Sequence, residues 1–245
     1  MLTAFLTDIH GNREALEACL AHVHRRGFDR IVFLGDYVGY GADPGFVVDT
    51  VMASMERGAI ALLGNHDAAA AGAPEHMNDD AMRAIEWTRR QLTSGQRNFL
   101  ERLPLTVEED DRLFVHASAH EPAQWDYLLD ADAAMRSFGA TDARLTFCGH
   151  IHVPVLYHLA ANGRLAGFEP QPGAPIPLSP GRFTAVIGAV GQPRDSNPDA
   201  CYAVHDDDAD TLTYVRVPYD IDAAAKKIRA AGLPRRFAAR LAFGQ

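Results

Sequence analysis

The stretch LTAFLTDIHGN, residues 2–12, begins the pattern that decides the fold. Its apolar first half, residues 2–7, predicts a short β-strand, and Asn12 is typical of a residue that caps the start of a helix. The segment that follows has apolar residues at helical spacing, namely Leu16, Cys19, Leu20 and Val23. A strand that leads directly into an amphipathic helix is the first half of a β-α-β unit, so we expect a parallel sheet to begin here.

The same alternation continues through the first third of the chain. Residues 30–34 and 59–63 are apolar runs that predict two more strands, and residues 46–56 between them predict a helix. This β-α-β-α-β order indicates a largely parallel sheet with helices on its face. Sites in such sheets lie beyond the carboxyl ends of the strands, so functional residues are expected there.

The remaining two thirds of the chain mix helices and strands, with more strand toward the end. Helical patterns predict further helices at residues 75–91, 95–102, 130–138 and 220–230, and a last short helix after Pro234. Apolar runs predict further strands at residues 105–107, 113–115, 145–148, 155–159, 183–187, 202–205 and 211–217. The proline-rich residues 167–181 predict a surface loop. Because no segment has the composition of a linker, we expect a single domain over residues 1–245.

Composition narrows the class of protein. The net charge of -9 argues against a general nucleic-acid binder, because such proteins neutralise phosphates with Lys and Arg. The negative net charge is compatible with a small phosphorylated substrate, since a bound metal ion can make the local charge of a site positive. Cys19, Cys148 and Cys201 are widely spaced, and we expect them to be buried rather than disulfide-bonded. With no signal peptide and no apolar run of membrane-spanning length, we expect a cytoplasmic protein without a membrane partner.

Aspartate, asparagine and histidine residues follow several of the predicted strands. These residues are Asp8, His10, Asp36, Asn65, His66, Asp67, His116, His150 and His152. His150 and His152 stand two positions apart, which puts both rings on one face of a strand or tight turn. Oxygen and imidazole groups at strand ends can converge on one point, and the series supplies about seven ligands, enough for two metal ions. The pattern therefore predicts a dinuclear metal hydrolase that acts on a phosphate ester.

The motifs that contain these residues resemble those of the calcineurin-like metallophosphoesterase superfamily. They read DIHGN at 8–12, GDYVGYG at 35–41, GNHD at 64–67, VH at 115–116 and GHIH at 149–152. The later motifs GQPRD at 191–195 and YAV at 202–204 resemble a branch of small, single-domain bacterial and archaeal members. The resemblance implies an α/β fold, a four-layer α/β/β/α sandwich of two mixed sheets flanked by helices. The parallel start and the strand-rich second half agree with it.

The resemblance also implies roles for individual residues. One metal ion would be held by Asp8, His10, Asp36 and His152, and the other by Asp36, Asn65, His116 and His150. Asp36 would bridge the two ions, and a metal-bound hydroxide would be the nucleophile. A ligand set of nitrogen and oxygen without thiolate suits Mn, Fe, Zn, Ni or Co better than Ca or Mg. His66 would be the general acid that protonates the leaving group, with a bracing role as the alternative.

Several neighbouring residues have two interpretations. Asp67 either orients His66 as part of the catalytic group or caps a turn. Asn12 and Arg194 are candidate substrate contacts, although Asn12 can equally serve as the helix cap and Arg194 as a loop residue. Tyr37 and Tyr40 either line the pocket or pack in the core, and the sequence favours neither.

Departures from the family pattern bear on the substrate. Gly39 and Tyr40 stand where phosphoprotein phosphatases have an aspartate and an arginine, and VIGA at 186–189 replaces the Asn-Pro-Gly-Ser associated with this branch. We therefore expect a phosphodiesterase or phosphatase acting on a small phosphorylated molecule, with nucleotides among the candidates. The alternatives are a Ser/Thr protein phosphatase-like activity, a diadenosine-polyphosphate hydrolase, a nuclease of the same superfamily, and a non-catalytic scaffold on this fold.

Overall fold

A computed structural model describes residues 1–72 and 77–245 of the chain. Within these residues the helices are α1 Arg13–Arg26, α2 Pro44–Met55, α3 Asn65–Ala71, α4 Asp79–Gln91, α5 Ser94–Glu101, α6 Ala131–Gly139, α7 Ile221–Ala230 and α8 Arg235–Phe243. The strands are β1 Leu2–Leu6, β2 Arg30–Phe33, β3 Ile60–Ala61, β4 Thr106–Glu109, β5 Arg112–Val115, β6 Leu145–Cys148, β7 Val155–Leu159, β8 Leu165–Phe168, β9 Pro175–Pro177, β10 Arg182–Val186, β11 Ala200–Asp206 and β12 Thr211–Val217.

The described strands form two six-stranded sheets. The first sheet has the order β3-β2-β1-β11-β12-β9, and the second has the order β4-β5-β6-β10-β7-β8. In the first sheet β1 and β2 are parallel, with Phe5 opposite Val32, whereas β1 and β11 are antiparallel. In the second sheet β6 is parallel to β5 and to β10, and β10 is antiparallel to β7. Both sheets are therefore mixed, as predicted.

Apolar side chains hold the layers together. Between the sheets, the ring of Phe5 stacks on that of Phe147 with centroids 4.0 Å apart. On the outer face of the first sheet, residues of α1 and α2 such as Leu16 and Val47 join the same cluster as the strands. On the outer face of the second sheet, Phe138 of α6 packs with residues of β5, β6 and β10. The molecule is thus an α/β/β/α sandwich, and the burial of these apolar surfaces is its main source of stability.

Capping residues explain where several helices begin. Asn12 accepts from the N–H of Ala15 at the start of α1, and Asn78, Asp130 and Asp220 make the same kind of bond at the starts of α4, α6 and α7. The predicted helix over 75–91 begins at Asp79, later than expected, and its first two residues lie outside the described residues. The segment after Gly64 forms the short helix α3, which the sequence did not predict.

The prediction of a surface loop over residues 167–181 is wrong in part. Residues 167 and 168 end β8, and β9 pairs with β12 so that Ile176 lies opposite Leu212. Prolines 175 and 177 are compatible with this strand because β9 is at the edge of the first sheet, where one side of the backbone needs no partner. The three cysteines are free and buried, as expected. No helix of the described residues is long and apolar enough to cross a membrane.

Candidate metal centre and active site

The predicted site residues follow the carboxyl ends of strands from both sheets. Asp8 and His10 come after β1, and Asp36 comes after β2, both in the first sheet. His116 comes after β5, and His150 and His152 come after β6, all in the second sheet. Asn65 is the first residue of α3, which follows β3. All seven predicted ligands belong to connections between elements at this one end of the sandwich.

Unusual backbone conformations direct these side chains toward the site. Five of the seven predicted ligands have positive φ: Asp8 53°, His10 50°, Asp36 56°, His150 70° and His152 61°. Residues other than glycine seldom adopt this region, and such strain persists where the surrounding structure enforces it. Gly64 makes room for one of them, since a Cβ atom at this position would overlap Asp36. A cluster of strained residues at strand ends is typical of a functional site.

A first group of ligand atoms comes from Asp8, His10 and His152. Nε2 of His10 lies 3.1 Å from Nε2 of His152, which lies 3.3 Å from Oδ1 of Asp8. These three residues each offer one ligand atom within 4.8 Å of the others. Oδ2 of Asp36 lies 3.6 Å from Nε2 of His10, so Asp36 borders this group as well.

A second group comes from Asp36, His116 and His150, whose ligand atoms also lie within 4.8 Å of one another. Nε2 of His116 lies 3.4 Å from Oδ2 of Asp36 and 3.2 Å from Oδ1 of Asn65. Asp36 therefore lies between the two groups, and its carboxylate contacts a histidine of each. The arrangement brings together the same two sets of residues that the family resemblance implied for two metal ions.

Hydrogen bonds to backbone carbonyls orient three of the histidine rings. Nδ1 of His10 donates to Val38 O at 2.9 Å, Nδ1 of His116 to Leu34 O at 2.8 Å and Nδ1 of His152 to Gln192 O at 2.6 Å. A carbonyl oxygen only accepts, so the hydrogen of each neutral ring sits on Nδ1. The lone pair of each Nε2 is then directed into the site, as a metal ligand requires.

Among the seven predicted ligands, two buried polar atoms have no hydrogen-bond partner in the residues that the structure describes: Oδ1 of Asp8 and Nε2 of His150. Buried polar atoms are almost always paired, so these two point to a missing partner. Both atoms belong to predicted ligands, and their residues belong to different groups. Carboxylate and imidazole donors without thiolate suit a divalent transition metal. The residues present therefore fit two metal ions.

Burial and mutual repulsion shape the charges of the site. Burial lowers the pKa of His150 to about 3 and holds the pKa values of His10 and His152 well below the usual range. Burial also lowers the pKa of His116, but the carboxylate of Asp36 outweighs this effect and raises it to about 9. Burial raises the pKa of Asp8 to about 7. Burial would raise the pKa of Asp36, but the rings of His116, His66 and His10 outweigh it and hold that pKa well below its usual range. The protein itself thus stabilises a charge on Asp36 better than one on Asp8.

His66 lies beside the first group, and His66, His10 and Asp36 also offer atoms within 4.8 Å of one another, a third combination that could hold a metal ion. Its ring packs edge-on against the rings of His10 and Tyr40, with centroids 4.8 Å and 4.5 Å away. Its backbone N–H donates to Oδ1 of Asp36, and its Nδ1 has no partner within the described part of the chain. Gly39, with a φ of 85°, makes this position accessible, because a Cβ atom there would overlap Nδ1 of His66. Burial lowers the pKa of His66, although the carboxylate of Asp36 acts in the opposite direction.

Of the two interpretations of Asp67, its contacts agree with the one in which it caps a turn. Its Oδ2 accepts from the N–H groups of Asp36 at 2.7 Å and Gly64 at 3.1 Å. Its Oδ1 accepts from the N–H groups of Tyr37 at 2.9 Å and Val38 at 3.3 Å. Burial raises the pKa of Asp67, yet two donors face each oxygen and leave no place for a proton. The carboxylate therefore braces two loops of the site rather than the ring of His66.

The two predicted substrate contacts differ in their surroundings. Both polar atoms of the Asn12 side chain bond within the protein, because Oδ1 accepts from the N–H of Ala15 and Nδ2 donates to Gly191 O at 2.8 Å. These bonds support the capping role. Arg194 lies at the site: its charge contributes to the lowered pKa values of His10, His66 and His152. Its guanidinium carbon lies 5.7 Å from the centre of the Tyr40 ring.

Aromatic side chains enclose the site. Tyr37 packs in the core, where its hydroxyl donates to Leu62 O at 2.6 Å, whereas Tyr40 lines the site beside His10. Trp125 approaches His116 edge-on with centroids 5.9 Å apart. Tyr127, which the sequence analysis missed, stacks on His150 at 4.2 Å and is 53% exposed. No motif marks Tyr127, because it stands in an irregular segment after the short 3-10 turn at Pro122–Gln124.

A four-layer α/β sandwich with two adjoining Asp/His groups at the strand ends defines the class of metallophosphoesterases. The model of the calcineurin-like phosphoesterase superfamily domain matches residues 1–210. The chain belongs to this superfamily, as its motifs predicted.

Similar proteins support this assignment over the whole chain. An uncharacterized protein of Methanocaldococcus jannaschii is 34% identical over 250 residues, covering 100% of this chain and 98% of that protein. The crystal structure of a metallophosphoesterase from Sphaerobacter thermophilus superposes with a TM-score of 0.90 at 38% identity, covering 100% of this chain and 99% of that one. A hypothetical protein from Pyrococcus horikoshii shares the fold with a TM-score of 0.82 at 17% identity, covering 100% and 98%.

Proposed function

We propose that this protein is a metal-dependent phosphoesterase with two metal ions, which hydrolyses a phosphodiester or phosphomonoester. The observation that carries the proposal is the pair of ligand groups that adjoin at Asp36, each with a buried atom that lacks a partner in the described part of the chain. Superfamily membership supports the same reaction class.

Asp8, His10, Asp36 and His152 would hold one ion, and Asp36, Asn65, His116 and His150 would hold the other. When bound, two divalent ions would supply a water of lowered pKa as the nucleophile and would offset the negative charge of the phosphoryl oxygens. The set of donors favours Mn, Fe, Zn, Ni or Co. The carbonyls of Val38, Leu34 and Gln192 support the ligands by holding the rings in one orientation.

His66 is the proposed general acid. Its ring is packed between His10 and Tyr40, and a nitrogen of the ring has no protein partner within the described residues. Such a ring can give a proton to the leaving oxygen when a substrate phosphate lies against the ligands. Asp67 acts indirectly, because its carboxylate fixes the backbone on either side of Asp36.

A small substrate fits this site better than a phosphorylated protein. Gly39 and Tyr40 replace the aspartate and arginine of phosphoprotein phosphatases, and Tyr40 fills the space beside His66. Arg194 supplies a cation at the site and is the proposed substrate contact. A nucleotide, including a diadenosine polyphosphate, belongs to the same class of substrate and is a candidate.

We also propose that residues 1–245 act as one domain. Lys227 of α7 forms ion pairs with Glu14 at 2.6 Å and Asp43 at 2.8 Å, and Phe237 of α8 packs 4.7 Å from the ring of Tyr40. The last two helices therefore contact the elements that carry the site.

Elemental analysis of the purified chain, combined with hydrolysis assays, tests the proposal. Bis-p-nitrophenyl phosphate and p-nitrophenyl phosphate serve as the diester and monoester probes, with added Mn²⁺. We expect about two metal ions per chain and turnover of at least one probe. A folded chain that binds no metal and stays inactive with Mn²⁺ would instead indicate a non-catalytic scaffold.

A further inference from the structure

Two arginines from distant parts of the chain approach the same side of the candidate metal centre. Arg194 follows β10, and its backbone N–H donates to His152 O at 3.1 Å. Its guanidinium carbon lies 5.7 Å from the centre of the Tyr40 ring. The Tyr40 ring itself lies 4.5 Å from the rings of His10 and His66. Arg194 therefore adjoins the first ligand group and the proposed general acid.

Arg240 belongs to α8, the helix that packs against Tyr40. Phe237, one turn earlier on the helix, packs 4.7 Å from the ring of Tyr40. The end of α8 is tied to the loop that carries Arg194, because the N–H of Ser196 donates to Gly244 O at 2.8 Å. Arg240 stands three residues after Phe237, which on a helix is the same side, so its side chain starts from the side of α8 that faces Tyr40 and Arg194. Burial, together with the charges of Arg194 and Arg236, lowers the pKa of Arg240, which agrees with this position.

No acid neutralises this pair among the described residues. Asp195, next to Arg194 in sequence, forms an ion pair with Arg216, and Asp80 pairs with Arg236 on α8. Nη2 of Arg194 donates to Oε1 of Gln192 at 3.0 Å, but its buried Nε has no hydrogen-bond partner in the part of the chain that the structure describes. A buried donor without a partner, next to a second arginine without an ion pair among the described residues, is an arrangement that an anion can satisfy.

We propose that Arg194 and Arg240 form a second anion subsite, which holds an anionic group of the substrate other than the phosphate that reacts. The inference rests on the proposed function, which puts the reacting phosphate at the ligands of the metal ions. It restricts the substrate class to phosphoesters with an additional phosphate or carboxylate, since guanidinium groups bind both through charge-assisted hydrogen bonds. A diester with a single charge would leave the subsite empty.

Two pairs of small probes test the subsite. AMP and ADP differ by one phosphate, and ethyl phosphate and 2-phosphoglycolate differ by one carboxylate. Their inhibition constants are measured against hydrolysis of bis-p-nitrophenyl phosphate with saturating Mn²⁺, and their effects on the melting temperature give a second readout that needs no turnover. We expect the additional anionic group to tighten binding about tenfold in at least one pair. The pair that responds identifies phosphate or carboxylate as the group held.

Arginine variants assign the preference to these residues. Arg240→Gln and Arg194→Gln should each remove most of the tenfold preference, and Arg240→Lys should keep part of it because the charge remains. Arg235→Gln is the matched control, since Arg235 is an exposed arginine of the same helix. Arg240→Lys also separates loss of the subsite from loss of folding.

The outcomes are distinct for the two proposals. Failure to hydrolyse both bis-p-nitrophenyl phosphate and p-nitrophenyl phosphate would contradict the proposed function, whereas the melting temperatures would still compare the probes. The subsite is wrong if neither pair of probes shows a preference, or if both glutamine variants keep the full preference. It is supported if the preference is present, weakened by both variants and unaffected by Arg235→Gln.

Discussion

Replacing Asp67 by asparagine separates a bracing role from a catalytic one. The Asp67 carboxylate accepts from four backbone N–H groups, those of Asp36, Gly64, Tyr37 and Val38. Asparagine has the same shape but one acceptor oxygen, so it can satisfy only one of the two pairs of donors. The shorter pair, at 2.7 and 3.1 Å, should keep its bonds, and the pair at 2.9 and 3.3 Å should face the amide NH₂ group.

The expected cost follows from these two lost bonds. Hydrogen bonds to a charged group contribute about 1.5–3 kcal/mol each, and the bond at 3.3 Å is weak, so Asp67→Asn should lower the free energy of unfolding by about 3 kcal/mol. This loss is a large fraction of the roughly 5–15 kcal/mol that is typical of a folded domain. Urea unfolding of the metal-free chain at neutral pH, followed by far-UV circular dichroism, measures it. Asp142→Asn, at an exposed position, is the control and should change the value by no more than about 0.5 kcal/mol.

The result that would refute this reasoning is equally specific. If Asp67→Asn unfolds within about 1 kcal/mol of the unmodified chain while its kcat falls and its metal content is unchanged, the hydrogen bonds of Asp67 contribute little to stability. Asp67 would then act on the chemistry, and the interpretation that it orients His66 would return.

Three further predictions concern the metal ions and the general acid. Asp36→Asn should lower the affinity for both metal ions, each by about tenfold or more, because Asp36 contacts a histidine of both groups; loss of one ion alone in elemental analysis would contradict the bridging role. His66→Ala should keep both ions and lower kcat by about 10²- to 10⁴-fold on esters with poor leaving groups, with a smaller effect on p-nitrophenyl esters; equal effects on both would remove His66 as the acid. Gly39→Ala should displace the ring of His66 and lower kcat, since a Cβ atom at position 39 would overlap Nδ1 of His66. The positive φ of residue 39 should also lower the free energy of unfolding by about 1–2 kcal/mol. Unchanged turnover would show that catalysis does not depend on the position of this ring.

Local sequence patterns predicted most of the helices and strands, and the ordered motifs predicted the superfamily. The strand–helix alternation over the first 63 residues depends on apolar spacing and capping residues, which act within a few positions of the chain. Superfamily membership and the two-sheet fold followed from motifs in order, and both are confirmed. Errors arose where local signals conflict with tertiary pairing: β9 contains two prolines and is a strand only because β12 lies beside it.

The residues of the candidate site could be identified from the sequence, but the role of each one could not. Motif positions identified Asp8, Asp36 and the histidines, because each follows a strand whose end is readable from the sequence. Whether Asp67 supports His66 or the backbone depends on which N–H groups surround it, and those belong to Asp36, Tyr37 and Val38, about 30 positions earlier. The aromatic contact of Tyr127 with His150 is likewise set by packing between separate loops.

The sequence by itself thus determined the fold class, the superfamily and the kinds of ligand atom available, because side-chain chemistry and short-range periodicity are local properties. Only the tertiary structure decided which ligand atoms adjoin, which polar atoms lack a partner among the described residues, and that α8 packs against Tyr40 beside Arg194. These properties depend on distances between residues far apart in the chain, which the packing of the two sheets and of α8 sets.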